Sequence, residues 1–590
     1  MKLADEKTWW ALLHYHEDSW SASGYSSYVD DPDFFYAEDG DSNSESELLA
    51  TIEQIFSTKE QGEEQAQCRF IYRYQWLSEK LSIDSERLPA VKCKDYAQWR
   101  SEVNAHSVSL VFPASTLNSP SSMFGHTLLR FDPKDIEEGS DWLSYALNFG
   151  ANINNDDNSI FFAYHGLAGG YPGVYNMMRY FEKIKEYNRM ENRDMWEYKL
   201  NLTPEEVDLI LQHVWELKDI NFDYFFLDEN CSFRLLALLE LVRPDVNLTG
   251  RFSYAVIPTN TVRAVIEEEL VEDIKFRPSE VSVLRTRINA LSEESQVLAR
   301  ALADDIQVME SSEFLALEDK EKADVVQLAY SFLRYEQRKI QRSKEMARRS
   351  HRLLLALNKL PSEKLEVAEP ASPETGHETS LITYGIGERN DDFYQQFSFR
   401  VNYHDLLDNE QGYIRGAQIL FANTELRYYQ DAGLKVNRFE LLDINSISKR
   451  NRFLTPLSWR VNVGYERVYS ENDDTGVVQV NGGVGHTYEV TDDMAFYGLA
   501  TARAEHNQDF EYFVEPAFGA AVGLLNNPSF GAQKLDVSGY KFLNGQYRTK
   551  ASFEQNINLN VNHALRFSLG YEWHNDESFG EVFAGYRYYF

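Results

Sequence analysis

The chain has 590 residues, a formal net charge of −35 and 14% aromatic residues. Its length predicts two or three domains. Its charge argues against general nucleic-acid binding, because a protein that neutralises phosphates needs a basic surface. So many aromatic side chains in a chain of negative mean hydropathy are typical of a membrane β-barrel, which is apolar towards lipid and polar inside.

The first residues do not look like a targeting segment. No run of about 18 apolar residues occurs in the chain, so no transmembrane helix is expected. The N-terminus also lacks the apolar stretch of a signal peptide. We therefore expect either a cytosolic protein or numbering that starts at a mature end with an added methionine, and the barrel pattern described below favours the second.

Residues 1–100 are predicted to be mostly helical and acidic, with helices over 45–56 and 68–81. Cys68 and Cys93 flank the helix-like run 70–81 and a turn at Pro89, and in an oxidising periplasm they would form a disulfide. Two reduced core cysteines are the alternative. His14 and His16 are two residues apart and do not share a helix face, so no metal site is expected there.

Between residues 101 and 255 the pattern changes. Strands are predicted over 107–112, 126–131 and 142–149, with a loop at 118–122, and the glycine-rich stretch 165–173 is interpreted as a turn or lid because it fits no nucleotide-binding spacing. Thr203 is predicted to cap a helix, with Pro204 in its first position and Glu206 completing a capping box.

Cys231 is the most reactive candidate in this segment. An aromatic, strand-like run precedes it, and a helix is predicted over 233–242. Unpaired N–H groups at a helix start favour a thiolate, although a buried structural cysteine is the alternative. If Cys68 and Cys93 pair with each other, Cys231 is the odd thiol.

A thiol nucleophile needs a base and a third group that orients the base. His126 is the best candidate base, because it lies beside Gly125 on a predicted buried strand, and Asn148 on the next strand could orient its ring. His165 is the competing base, and a packed core histidine is the alternative role for His126. Zinc-protease, serine-hydrolase and P-loop motifs are missing, so no cofactor is expected.

Residues 256–376 are predicted to form a helical arm and a linker, and residues 377–590 alternate with period two. On one strand Leu565, Phe567 and Leu569 alternate with Arg566 and Ser568. About a dozen strands of about ten residues predict an antiparallel outer-membrane barrel. The last strand ends on the aromatic Phe590, which resembles the C-terminal signature of such barrels.

Four separated motifs resemble the DUF4105 family, also called the Lnb N-terminal periplasmic domain, over residues 100 to 250. They are Phe124-Gly125-His126-Thr127-Leu128-Leu129-Arg130, the strand 145–149, Asn201-Leu202-Thr203-Pro204-Glu205 and Asn230-Cys231. The order of His before Asn-Cys is similar to circularly permuted papain/NlpC/P60-like thiol enzymes, which include lecithin:retinol acyltransferase. The resemblance implies an α+β domain with helical flanks, placed in the periplasm and joined to the barrel.

The resemblance also implies thiol-based acyl transfer, with lipoprotein N-acylation from phospholipid as the Lnb-type activity. Cys231 would be the nucleophile, His126 the base and later the acid, and Asn148 the orienting group. Asn230 would bind substrate, as would Arg130, for which an ion-paired arginine is the alternative. Backbone N–H groups at the helix start, including that of Cys231, would stabilise the oxyanion.

Two functions of different class follow from these observations. The first is an outer-membrane-anchored, periplasm-facing acyltransferase or amidase/peptidase that acts on lipid, lipoprotein or peptide. The second is a transport or secretion barrel whose periplasmic domain binds or gates without catalysis. The expected partners are outer-membrane lipids, a lipoprotein or peptide substrate and the barrel assembly machinery. For the first function, Cys231 Sγ should lie within about 4 Å of a ring nitrogen of His126.

Overall fold

The structure is a computed structural model, in which the chain divides into two compact units, Met1–Ser282 and Val283–Phe590. It describes residues 2–117, 123–134, 140–152, 165–166, 169–252, 255–338, 343–361, 363, 365–470, 473–508, 510, 513–575 and 577–590. The predicted loop at 118–122 and part of the glycine-rich stretch 165–173 lie outside these residues.

The first unit is built on one antiparallel sheet of seven strands in the order β8-β6-β5-β4-β3-β7-β9. A small hairpin of two strands, β1 and β2, precedes the sheet. The bounds are β1 Tyr15–Glu17, β2 Tyr25–Ser27, β3 Ser107–Pro113, β4 Leu128–Asp132, β5 Tyr145–Ala151, β6 Tyr171–Arg179, β7 Met195–Leu200, β8 Phe222–Tyr224 and β9 Val271–Arg277.

Helices cover both faces of this sheet. Their bounds are α1 Lys7–Leu12, α2 Ser44–Phe56, α3 Ala66–Arg69, α4 Ile71–Leu81, α5 Lys94–Val103, α6 Tyr180–Lys183, α7 Pro204–Glu216, α8 Cys231–Val242 and α9 Pro258–Glu267, and a π-helix, Ile184–Met190, continues α6. The larger core joins α1, α7 and α8 to one face of the sheet. A smaller apolar cluster on the other face holds Tyr180 and Tyr187 of the α6–π-helix segment.

The local predictions agree with the structure where capping signals are strong. The capping box at Thr203 and Glu206 is present. The predicted helix over 68–81 is instead two helices that break at Phe70, and the predicted helical arm 256–376 contains one strand, β9, after α9. Residues 225–227, expected as a strand, lie in a loop, and β8 ends before them at Tyr224.

Cys68 and Cys93 form a disulfide. The prediction of this bond is confirmed, and Cys231 is the free cysteine. The bond connects α3 to the residue that precedes α5, so it closes a loop around α4.

The second unit begins with helices. Their bounds are α10 Glu280–Asn289, which starts just before the unit boundary, α11 Glu293–Asp304, α12 Ser312–Leu315, α13 Asp319–Gln337 and α14 Lys344–Leu357. These helices lie within residues 256–376, where a helical arm was predicted. No helix among the described residues is long and apolar enough to span a membrane.

The rest of the second unit is a closed antiparallel barrel of 12 strands, which confirms the predicted count. Ring closure comes from β10, which pairs with both β11 and the last strand, β23. The strand bounds are β10 Leu381–Arg389, β11 Asp392–Arg400, β12 Asn402–His404, β13 Ala417–Tyr429, β14 Gly433–Ser446, β15 Lys449–Arg450, β16 Ser458–Ser470, β17 Asp473–Glu489, β18 Met494–His506, β19 Glu515–Asn526, β20 Gly531–Phe542, β21 Tyr547–Asn560, β22 His563–His574 and β23 Glu577–Tyr589. The short β12 continues the line of β11, and β15 lies beside the wall.

The barrel wall is apolar on the outside and polar on the inside. On β11, Phe397 is 43% exposed whereas the neighbouring Gln396 is 6% exposed. On β23, Val582 and Tyr586 are likewise exposed while Arg587 is buried. Apolar side chains turned outward and polar ones turned inward are the reverse of a water-soluble fold, so the outer surface of the wall is the surface that meets lipid.

Candidate functional site

Cys231 is the first residue of α8, and the residue before it fixes the helix start. Asn230 is the N-cap, and its side-chain oxygen accepts hydrogen bonds from the N–H groups of Ser232 at 3.0 Å and Phe233 at 3.3 Å. Its amide group donates to the carbonyl of Val256 at 2.6 Å. Asn230 therefore ties the helix start to the segment before α9, which holds the sulfur in one position.

Three predicted catalytic residues meet at this point. Cys231 Sγ lies 2.9 Å from Nδ1 of His126, inside the expected limit, and Nε2 of His126 lies 2.5 Å from Oδ1 of Asn148. Cys231 is 3% exposed. The order thiol, imidazole, amide is the arrangement of a nucleophile, a base and a group that orients the base.

His126 lies just before β4 rather than within the predicted strand 126–131, and a glycine places it there. Gly125 has a φ of +95°, which favours glycine, and a Cβ at this position would lie 2.7 Å from the ring of Phe112 on β3. This close approach brings the chain against β3 immediately before the histidine. Asn148 lies on β5, two strands from β3 in the sheet.

The electrostatics favour a neutral pair at rest. Burial lowers the pKa of His126 to about 3, against a smaller opposing effect of the hydrogen bond that His126 donates to Asn148. Burial also raises the pKa of the Cys231 thiol, partly offset by hydrogen bonds from Thr127 and Ser232. Because Oδ1 of Asn148 only accepts, Nε2 of His126 carries the ring proton and Nδ1 keeps a lone pair towards the sulfur.

Three neighbours of the pair were not predicted from the sequence. Thr127 and Ser232 follow His126 and Cys231 directly, and their hydroxyls are 3.0 Å apart beside the sulfur. Their positions directly after the two candidate catalytic residues were the sequence feature that could have identified them. Tyr224, at the end of β8, lies beside Cys231, and no sequence pattern marked it.

The expected oxyanion donors lie at the start of α8. The N–H groups of Ser232 and Phe233 bond to Asn230, and the N–H of Cys231 faces Tyr224. A tyrosine hydroxyl can donate as well as accept a hydrogen bond. The N–H of Cys231 and the hydroxyl of Tyr224 are thus the candidate donors to a developing oxyanion.

The two predicted substrate-binding residues have structural contacts instead. Nε of Arg130 lies 2.8 Å from Asp132, and its Nη1 lies 2.5 Å from Glu197. The ion-paired alternative is therefore the arrangement found, because buried carboxylates occupy the guanidinium. Asn230 uses both side-chain atoms on backbone groups, as described above, so the substrate-binding role is not supported for either residue.

The other histidines lie elsewhere. The ring of His165 packs edge-on against Tyr171. Nε2 of His14 is 3.0 Å from Nε2 of His213, whereas His16 stacks on Tyr28, so His14 and His16 do not converge.

Comparison with known proteins places four family models along the chain. Residues 95–268 match the Lnb N-terminal periplasmic domain, and residues 1–80, 274–366 and 370–589 match three domains of unknown function, DUF7843, DUF7842 and DUF7840. A search of curated proteins finds no match.

Three of the solved structures that resemble part of the chain are porins. The KdgM porin in complex with disordered oligogalacturonate is 10% identical, covers 36% of this chain and 99% of its own, and has a TM-score of 0.23. The NanC porin is 10% identical, with 35% and 100% coverage and a TM-score of 0.24. The anion-selective porin from Comamonas acidovorans is 10% identical, with 36% and 99% coverage and a TM-score of 0.19.

The fold of the barrel rests on its own strand pairing and its apolar outer face rather than on these distant matches. Residues 95–268 are similar to the Lnb N-terminal periplasmic domain, and the chain is an outer-membrane β-barrel protein whose N-terminal part lies in the periplasm.

Proposed function

We propose that the first unit is a cysteine-dependent acyltransferase that the barrel anchors to the outer membrane. The observation that carries the proposal is the distance of 2.9 Å between Cys231 Sγ and Nδ1 of His126, with Asn148 bonded to the opposite ring nitrogen. A buried free thiol with an aligned base and a capped helix start is suited to nucleophilic attack on a carbonyl carbon.

In the first half-reaction Nδ1 of His126 takes the thiol proton while the sulfur attacks an ester carbonyl. The tetrahedral oxyanion accepts hydrogen bonds from the N–H of Cys231 and from the hydroxyl of Tyr224. The C–O bond then breaks, and the imidazolium of His126 returns the proton to the leaving alcohol. The products are a thioester on Cys231 and a free alcohol.

In the second half-reaction an acceptor attacks the thioester. An amine loses a proton to His126 and forms an amide, and the released sulfur recovers the proton as a thiol. The resemblance to the Lnb domain favours a phospholipid acyl donor and a lipoprotein amine as acceptor. With water as acceptor the same groups would hydrolyse an ester or amide, which is the amidase/peptidase form of the proposal.

The test is mass spectrometry of Cys231 in the full-length protein after incubation with phospholipid vesicles. The expected result is an acyl thioester on Cys231 in the wild type and its loss in Cys231→Ala. His126→Ala should slow acylation by about 10²–10⁴-fold, the usual contribution of a general base. His165→Ala is the matched control, since its ring packs against Tyr171 whereas that of His126 meets the sulfur, and acylation should continue in it. An unmodified Cys231 with every lipid class and a full cellular activity in both Cys231→Ala and His126→Ala would overturn the proposal.

The second candidate is a transport or secretion barrel with a non-catalytic periplasmic domain. The observation in its favour is a cavity of about 440 Å³ inside the barrel, lined mostly by polar and charged side chains. Under this function the variants of Cys231 and His126 would leave transport of a polar solute unchanged.

A further inference from the structure

The connection between β12 and β13, residues 405–416, enters the barrel interior. Leu406 and Leu407 pack in one apolar cluster with Ile447 and with side chains of three other strands, β18 to β20. In the ring order those strands lie on the side of the wall opposite β12. The connection therefore crosses the full width of the lumen at the end where the barrel's first strand begins and its last strand ends.

A buried aspartate holds this connection in place. Asp408 Oδ2 lies 2.8 Å from Nη1 of Arg400, and Oδ1 lies 2.9 Å from Nη1 of Arg587. The hydroxyl of Tyr589 donates to Oδ1 at 2.8 Å. Removal of this carboxylate would take away the acid that lies 2.8 Å from buried Arg400 and would leave Arg587 only the more distant Asp405, at 3.6 Å, which is strongly unfavourable.

A second carboxylate and the segment before β10 add further contacts. Asp405 Oδ2 lies 3.3 Å from Arg566 on β22. The hydroxyl of Tyr413 donates to the carbonyl of His377 at 2.7 Å, and the amide of Gln411 donates to the carbonyl of Thr375 at 3.1 Å. The connection is thus fixed at both ends of its path.

His377, His404 and Asp408 are close enough together to hold a metal ion. The surrounding charge argues against that role. Both oxygens of Asp408 already face arginines, as described above, and a divalent cation would lie beside those guanidinium groups. The cluster is better explained as a hydrogen-bonded and ion-paired clamp on the connection.

Other polar contacts lie inside the barrel and join strands three places apart in the ring. Arg427 on β13 lies 2.7 Å from Glu581 on β23, and Arg548 on β21 lies 2.6 Å from Glu505 on β18. These pairs join strands that are not neighbours in the ring. Their side chains occupy part of the interior that the connection leaves open.

We propose that residues 405–416 are a built-in plug that closes the barrel to solutes, with Asp408 as its principal attachment. The barrel then anchors the first unit and does not conduct. This inference goes beyond the proposed acyl transfer and is independent of Cys231.

The test is electrical conductance of the full-length protein in planar lipid bilayers. Wild type is expected to give no steady channel current, and Asp408→Ala is expected to give discrete opening steps. Asp492→Ala is the matched control, because Asp492 is an exposed acid in a turn at the same end of the barrel, and it should stay silent. A shift in gel mobility on heating shows that each barrel is folded.

A second variant covers the case in which Asp408→Ala does not fold. The double variant Leu406→Ala/Leu407→Ala removes the contact with the far wall and keeps the ion pairs of Asp408, and it too should conduct. Steady open current in the wild type, or folded plug variants that remain as silent as the wild type, would overturn the proposal.

Discussion

At the scale of single residues, Asn148 decides which nitrogen of His126 acts as the base. Its oxygen can only accept, so it selects the tautomer with the proton on Nε2 and the lone pair on Nδ1. The sulfur lies on the Nδ1 side. A resting thiol and neutral imidazole are thereby ready for proton transfer without a stable ion pair.

The lowered pKa of His126 predicts activity that persists in acid. A folded-state pKa of about 3 lies below the ordinary value of about 6.5 for an unfolded histidine, so the neutral base is retained through mildly acidic pH. Its contribution to stability is complete above about pH 6.5 and is lost as the pH falls towards 3. The check is the pH profile of thioester formation, whose acidic limb should have a midpoint well below 6.5. A midpoint at or above that value contradicts the prediction.

Asn148→Asp should move that acidic limb to higher pH. A carboxylate next to Nε2 stabilises the imidazolium and raises the pKa of His126. Asn148→Ala removes the orienting bond and should slow acylation by about 10- to 100-fold, as is typical when a supporting hydrogen bond to a functional histidine is lost, without an upward shift of the limb. The pH–rate profiles of the two variants, measured side by side, distinguish charge from orientation.

At the scale of elements, the start of α8 both stabilises the fold and places the nucleophile. Asn230→Ala should lower the free energy of unfolding by about 1–2 kcal/mol through loss of the N-cap. Each kcal/mol lost should lower Tm by about 2–4 °C. Thr203 is the N-cap of α7. Thr203→Ala is therefore the matched control and should lower the free energy of unfolding by a similar amount. Only Asn230→Ala should also slow acylation, because only that cap adjoins Cys231. Thermal unfolding and thioester formation of both variants check this expectation, and an equal rate in the two variants would contradict it.

At the scale of the whole molecule, the barrel separates two environments along each strand. Leu569 lies in the middle of β22 and is 55% exposed on the outer face, whereas its neighbour Ser568 is on the same face of the strand as the buried Arg566 and pairs with Glu554 of β21. Leu569→Arg should destabilise the barrel by about 2–4 kcal/mol, the cost of an arginine at the bilayer midplane. Ser568→Arg, the matched control, turns the same side chain towards Glu554 and should be tolerated. Folding yield in vesicles, read from heat-dependent gel mobility, checks both, and equal yields would contradict the outward assignment of Leu569.

Local patterns were sufficient for much of the architecture. Period-two alternation predicted the barrel and its 12 strands, because adjacent residues of a strand face lipid and lumen in turn. The capping box at Thr203 predicted the exact residue at which α7 begins, since its hydrogen bonds are local. The same kind of local reasoning failed at residues 225–227, where β-prone aromatic residues lie in a loop fixed by long-range packing.

The sequence by itself determined the presence of a lone thiol at a helix start, a histidine beside a glycine and an amphipathic barrel, because each depends on residues that are close in the chain. Only the tertiary structure decided which histidine meets Cys231, that Arg130 is occupied by Asp132 and Glu197, and that residues 405–416 cross the lumen. These contacts join residues far apart in sequence, and their geometry is set by sheet register and barrel closure, which no local pattern specifies.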